Sequence, residues 1–419
     1  MTLAALLAEL GTAPVAPADL DALRALNATN AAAAIGELGA SGRLIAGLPV
    51  DASVPAGAAY RFGAQLHART QDDFHPLGRV HVGAVALAVT LALSDDVGDR
   101  TLECLAAGYE VMGAISVVYA AEAQSRGFRP TGLFGPLAAA ACAARCLSLG
   151  QADAANAIAL AAARSGGTNQ SWLSGTDEWL LEAGNAARAG IEAALLTKAG
   201  LAAAPDALEG RAGWARAFFG DEGGARLAAG LAAPHPRIGE VAVKPYPVSG
   251  IAQIATALAV SARDWLGGGD WSEMIVHVAK AEADYPGSAN RGPFRSRSDA
   301  LMSIVFCAAA GLERGAVPLA LLESPGSLGD AIARVRLAPD PGLAEGHARI
   351  EVRTAGDNRS FEGAAADLLH PSWPAVAADA DALALRSEAR ADRVASIIAE
   401  LARPRVDAGV LRGLIELVA

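Results

Sequence analysis

Residues 82–93 read VGAVALAVTLAL, a run that is apolar on every side. A helix of that composition has no face to offer to water, so it must lie at the centre of other packed helices. The rest of the chain is built to supply them. Of 419 residues 53% are apolar, much of that alanine, with 45 glycines and only 5% aromatics. Small side chains let helix axes approach closely, which predicts a mainly helical protein with a large core. A chain of this length exceeds one ordinary core and implies two domains or three.

The helical period begins at once. Leu3, Leu6, Leu7 and Leu10 recur at i, i+3, i+4 and i+7 and stop at Gly11, and Pro17 opens a second helix carrying Leu20 and Leu23. Helical signals run to about residue 230, with glycine-bearing breaks at Ser125–Gly135, Ser165–Thr176 and Gly220–Gly224. After Pro234 the character changes. Met274–Val278, Ala333–Ala338 and Ala348–Thr354 read as strands, and ARVRLA and ARIEVRT alternate as half-buried antiparallel strands do. Near the end Val394, Ile397, Ile398 and Leu401 restore the helical period before Pro404, and Val410–Val418 is helical again. The expected organisation is a large all-helical domain from residues 1–240 and 363–419, with a smaller α+β lid at 241–362 and the C-terminus returning to the first domain.

Charge and cysteine usage exclude several classes. A net charge of −11 argues against a nucleic-acid partner and against anionic membrane surfaces. The start, MTLAALLAELGTAP, lacks a basic stretch and carries Glu9 inside its apolar run, so it does not read as a signal peptide. No uninterrupted apolar run reaches membrane-spanning length, and a cytoplasmic protein is expected. Cys104, Cys142, Cys146 and Cys307 sit in apolar runs without a CxxC pair and read as buried thiols. Metal ligation by Cys142 and Cys146 is not expected.

Immediately before the buried run stands HARTQDDFHPLGRVH, residues 67–81, with three of the seven histidines, Asp72, Asp73, Arg69 and Arg79. Acids and imidazoles gathered at the mouth of a buried helix acquire the perturbed proton affinities that acid–base chemistry uses; a solvated loop with capping histidines is the plainer alternative. RGFRPTGLFG (Arg126–Gly135) places arginines ahead of an apolar helix, where its unpaired N–H groups favour a carboxylate. SGGTNQSWLSGTDEW (Ser165–Trp179) is a hydroxyl- and amide-rich connection, Lys244 lies at the boundary between the domains, and NRGPFRSRSD (Asn290–Asp299) carries Arg291, Arg295 and Arg297. There is no GxSxG, P-loop, HExxH or strand-borne GxGxxG. The chemistry expected is that of protons and charges, with no cofactor and no metal.

In their order and spacing these segments resemble the MmgE/PrpD family, whose members include dehydratases, decarboxylases and epimerases. The resemblance is carried by DD…HVGAVALA (Asp72–Ala88), RGFRPTGLFGPLAAAACAARCLSLG (Arg126–Gly150), EAGNAARAGIEAALLTKAGLAAAPDALEG (Glu182–Gly210), KPYPVSGIAQ (Lys244–Gln253) and NRGPF (Asn290–Phe294). It implies a helical domain, an α/β lid, a homodimer, and removal of a proton next to a carboxylate of a small di- or tricarboxylate. His81 matches the histidine of the family's HPG segment, with Val82 in place of its proline, and Asp72 and Asp73 match the end of its DFDD run; His81 would move the proton, with Asp72 or Asp73 orienting or assisting it. Arg129, Lys244 and Arg291 would hold the anion as the lid closes, with Thr70, Thr131 and Trp179 also at the substrate. Gly292 is interposed after Arg291 in the family's N-R-P segment, and three positions of the acid–base set depart from the pattern: Thr70 stands for an aspartate, Arg129 for a histidine and Trp179 for a lysine. Three readings follow: a cofactor-free lyase or isomerase, a binding or regulatory protein that kept the cleft and lost the chemistry, and a helical scaffold with solvated loops.

Overall fold

The computed structural model describes residues 1–35, 40–233 and 238–369. The C-terminal helices expected at 394–401 and 410–418, and their return to the first domain, lie outside the described residues. The chain forms two compact units. The first takes Met1–Thr168 and Leu180–Val241; the second takes Asn169–Trp179 and residues 242–369.

The helices of the first unit include α1 (Leu3–Thr12), α2 (Pro17–Ile35), α3 (Pro55–Ala68), α4 (Val82–Ala92), α5 (Thr101–Ser125), α6 (Pro130–Cys146), α7 (Gln151–Ala162) and α8 (Glu182–Lys198). The all-apolar run forms α4, and every residue from Val82 to Leu91 is buried. Helix α5 is long and apolar enough to cross a membrane by composition, but 78% of its most apolar window is buried inside the protein. Its apolar surface is spent on neighbouring helices, as in a core helix.

Glycine decides how closely these helices meet. A Cβ on Gly63 of α3 would stand 2.7 Å from the Cα of Gly184 in α8, and one on Gly184 would stand 2.1 Å from the carbonyl oxygen of Tyr60. The two helices therefore cross backbone against backbone. Glycine also explains why a helix begins inside the break expected at Ser125–Gly135. Helix α6 already begins at Pro130, a residue suited to a first helical turn. Gly132 and Gly135 lie within it because a Cβ there would meet Gly166 O at 2.3 Å and Ala186 Cβ at 2.7 Å.

In the second unit, β1 (Glu273–Ala279), β2 (Val335–Asp340), β3 (His347–Arg353) and β4 (Asn358–Ala364) form one sheet in the order β2-β1-β3-β4. The alternation of ARIEVRT appears as expected: Ala348, Ile350 and Val352 are buried and their neighbours are not. Strand β2, expected to be antiparallel, pairs parallel with β1; α9 (Gln253–Leu266) precedes β1, and the chain from β1 to β2 passes through α10 (Ile304–Arg314). Parallel pairing needs such a crossover. Strand β4 was not foreseen, because NRSFEGA lies largely exposed at the sheet edge and carries no apolar alternation. Residues 169–179, expected within the helical domain, group with the second unit. Trp179 Nε1 donates to Ser298 Oγ at 2.7 Å, Ser298 Oγ donates to Thr176 O, and the rings of Trp172 and Trp179 lie 5.0 Å apart.

Candidate active site

Helix α3 ends at Ala68, and Thr70 then adopts a left-handed φ of 59°. That turn carries the following aspartates back towards the end of the helix. Asp72 is fully buried, and one of its oxygens, Oδ2, lies 2.9 Å from His67 Nδ1 and 3.0 Å from His81 Nδ1. The two imidazole rings are 4.2 Å apart and tilted. His67 is 1% exposed, whereas the His81 side chain is 16% exposed, so His81 is the imidazole of the pair that a ligand can reach.

His81 is the residue before α4, and its backbone N–H donates to Thr131 Oγ1 at 3.1 Å. Thr131 belongs to the first turn of α6, and Arg129 is the residue before that helix. Two helix N-termini therefore meet at the cluster, and their dipoles favour negative charge there. Arg129 is buried. Its Nη2 lies 2.8 Å from His67 Nε2, and its Nε lies 2.6 Å from Glu182 Oε2 at the start of α8. The row Glu182–Arg129–His67–Asp72–His81 thus joins the ends of α3, α4, α6 and α8.

Asp73 faces the other way. Oδ1 accepts from the backbone N–H of Gly83 at 2.8 Å, and Oδ2 accepts from Asn30 Nδ2 at 3.0 Å and from the Tyr109 hydroxyl. Asn30 Oδ1 accepts in turn from the Asp73 N–H. Burial pushes the Asp73 carboxyl up to about 6 against the pull of these donors, and burial followed by the Asp73 charge pushes the Tyr109 hydroxyl up. Asp73 caps the first turn of α4 and ties it to α2 and α5. A Cβ on Gly83 would stand 1.9 Å from Asn30 Nδ2, so this packing requires glycine there.

The remaining candidates fall in two places. Thr70 is buried and donates its hydroxyl to Arg69 O. Lys244, Arg291 and Trp179 belong to the second unit. There Lys244 is 1% exposed, Trp179 is bonded to Ser298, and Arg291 donates to Val335 O at 2.6 Å and Ile332 O at 3.1 Å, at the start of β2. His67 and Glu182 were not selected from sequence as site residues. The signal available was a histidine in the last turn of α3 and an acid in the first turn of α8.

The donor atoms of His67, Asp72 and His81 lie within 4.8 Å of one another, close enough to hold a metal ion. The surrounding donors oppose it. A metal on His67 Nδ1 would require a hydrogen on Nε2, and a ligating imidazole normally gives that hydrogen to an acceptor. Here Nε2 faces a guanidinium, which can only donate. The arrangement suits proton transfer: a carboxylate orienting an imidazole, as in hydrolytic triads.

The MmgE/PrpD N-terminal domain family model matches residues 19–226, a span that contains the whole cluster. No curated protein matches the chain.

Proposed function

The chain belongs to the MmgE/PrpD family, which includes lyases and isomerases, and we propose that it is a cofactor-free lyase or isomerase of small di- or tricarboxylates. His81 takes a proton from the carbon next to a substrate carboxylate, and Asp72 orients His81 and stabilises the imidazolium that forms. The observation that carries this reading is the 3.0 Å contact of Nδ1 of the partly exposed His81 with the buried Asp72, the pairing by which a carboxylate orients an imidazole base. The converging N-termini of α4 and α6 support it, since they favour the negative charge that develops on the substrate. From the resulting carbanion-like species, loss of hydroxide gives dehydration, and return of the proton to the opposite face gives epimerisation. A decarboxylase instead loses carbon dioxide and protonates the same carbon.

A second reading, a binding protein without turnover, is favoured by positions 129 and 179. They carry an arginine paired with Glu182 and a tryptophan bonded to Ser298, where the family resemblance expects a histidine and a lysine. Incubating the protein with a panel of di- and tricarboxylates in D2O separates the two. Deuterium incorporation next to a carboxylate supports the enzyme, and saturable binding without exchange supports the binding protein. His81→Asn is expected to lower the exchange rate by about 10²–10⁴-fold. Exchange at the parent rate in a folded His81→Asn variant removes His81 from the mechanism.

A further inference from the structure

We infer that Arg129 is a positioning residue: its guanidinium fixes His67 as the neutral Nδ1–H tautomer, so that of the three residues His67, Asp72 and His81 only His81 takes up a proton. The assignment of the tautomer rests on geometry. Its catalytic consequence rests on the reading of His81 as the base.

A guanidinium has five N–H donors and no acceptor. Across the 2.8 Å between Arg129 Nη2 and His67 Nε2, the imidazole nitrogen must therefore accept. An imidazole that accepts at Nε2 carries its hydrogen on Nδ1, and that nitrogen is 2.9 Å from Asp72 Oδ2. Both nitrogens of His67 are thus committed. A second proton would set N–H against N–H and place an imidazolium beside a guanidinium, so His67 stays neutral. Asp72 receives one hydrogen from His67 and a second from His81 Nδ1. A proton that reaches His81 is stabilised by Asp72 and cannot pass on through it to His67.

Glu182 holds the guanidinium in place through its contact with Nε at 2.6 Å, where the Arg129 and Glu182 side chains are 5% and 9% exposed. Little solvent reaches this pair, so it is screened far less than a surface salt bridge. The groups facing His67 and bearing on its titration are Asp72 and His81 from the segment after α3, Arg129 from the start of α6, and Glu182 behind Arg129 from the start of α8.

Nitrogen-15 NMR of histidine-labelled protein tests the inference without a substrate, with His67→Gln used to assign the signal. Three proteins are compared between about pH 5.5 and 8: the parent, Arg129→Lys, and the double variant Arg129→Gln/Glu182→Gln. Lysine still only donates, whereas the paired glutamines leave no lone buried charge and can accept as well as donate. The parent and Arg129→Lys are expected to show His67 protonated at Nδ1, bare at Nε2 and unchanged across the range. The double variant should show mixed tautomers or titrate. A parent His67 that carries hydrogen on Nε2 or titrates, or a folded double variant identical to the parent, overturns the inference. Where exchange of a carboxylate substrate is observed, the double variant should lose about 10²-fold in kcat with KM changed by less than about threefold, and Arg129→Lys should retain most activity. Absence of exchange in every protein would count against the proposed reaction while leaving the NMR result to decide the role of Arg129.

Discussion

Replacing Asp73 with Asn isolates the cost of a buried carboxyl group. In the folded chain its affinity for the proton rises from the ordinary 3.8 to about 6, first because burial penalises the charge. The folded state thus holds this proton more tightly than the unfolded chain. The stability it contributes is fully present below 3.8 and is lost as pH rises through about 6. At about pH 5 the unfolded carboxyl is already mostly ionised while the folded one is still mostly protonated, and by about pH 8 both are ionised. With those values the loss over this interval is about 1.4 kcal/mol. Asn does not titrate, so the variant lacks that component. It also places an amide donor where Oδ2 accepted from Tyr109 and Asn30, a mismatch worth about 1–3 kcal/mol. The variant should therefore be the less stable protein at about pH 5, and the gap should narrow by about 1.4 kcal/mol at about pH 8. Urea denaturation of both proteins across the range, followed by helical circular dichroism, measures the double difference. Stability curves that run parallel from about pH 5 to 8 would refute the reasoning.

Other perturbations follow from the packing. Gly184→Ala sets a methyl group against the Tyr60 carbonyl, 2.1 Å from where the Cβ must stand, and should cost about 1–3 kcal/mol in denaturant unfolding. Thr70→Gly relieves a β-branched residue of a φ of 59° and should raise stability by up to about 1 kcal/mol, read as a higher Tm; a lower Tm would mean that the Thr70–Arg69 hydrogen bond outweighs the strain. All four cysteines are buried, and burial pushes the Cys307 thiol well up, so a thiol reagent should titrate none of them in the native protein and all four in denaturant.

Much of the frame was legible because it depends on local pattern. The apolar run at 82–93 had to be a buried helix, and the alternation of ARIEVRT had to be a half-buried strand. Asp72 and His81 lie close enough in sequence to be read as one constellation. What escaped depends on contacts between distant helices. Nothing near Arg129 in sequence announces His67 or Glu182, which reach it only because the C-terminus of α3 and the N-termini of α6 and α8 come together. Asp73 looked equivalent to Asp72, yet Asn30 from α2 and Tyr109 from α5 claim it for the scaffold. The glycines of Arg126–Gly135 suggested a loop for the same reason: a local reading cannot tell a glycine that bends the chain from one that admits a neighbour.

The crossing of α3 and α8 through Gly63 and Gly184 bears on how such a protein can change over generations. His67 lies one helical turn beyond Gly63, and Glu182 lies two residues before Gly184. The separation of these two groups is set by residues that have no side chains. Placement and reactivity are thereby written in different letters. A lineage can exchange the residue at position 129 or 70 and alter the reaction while the helices stay where they were. Loss of either glycine shifts the platform beneath every residue mounted on it, whichever reaction those residues perform. Selection on such a fold therefore has two separate handles: small residues inherited as a frame, and polar residues open to replacement upon it.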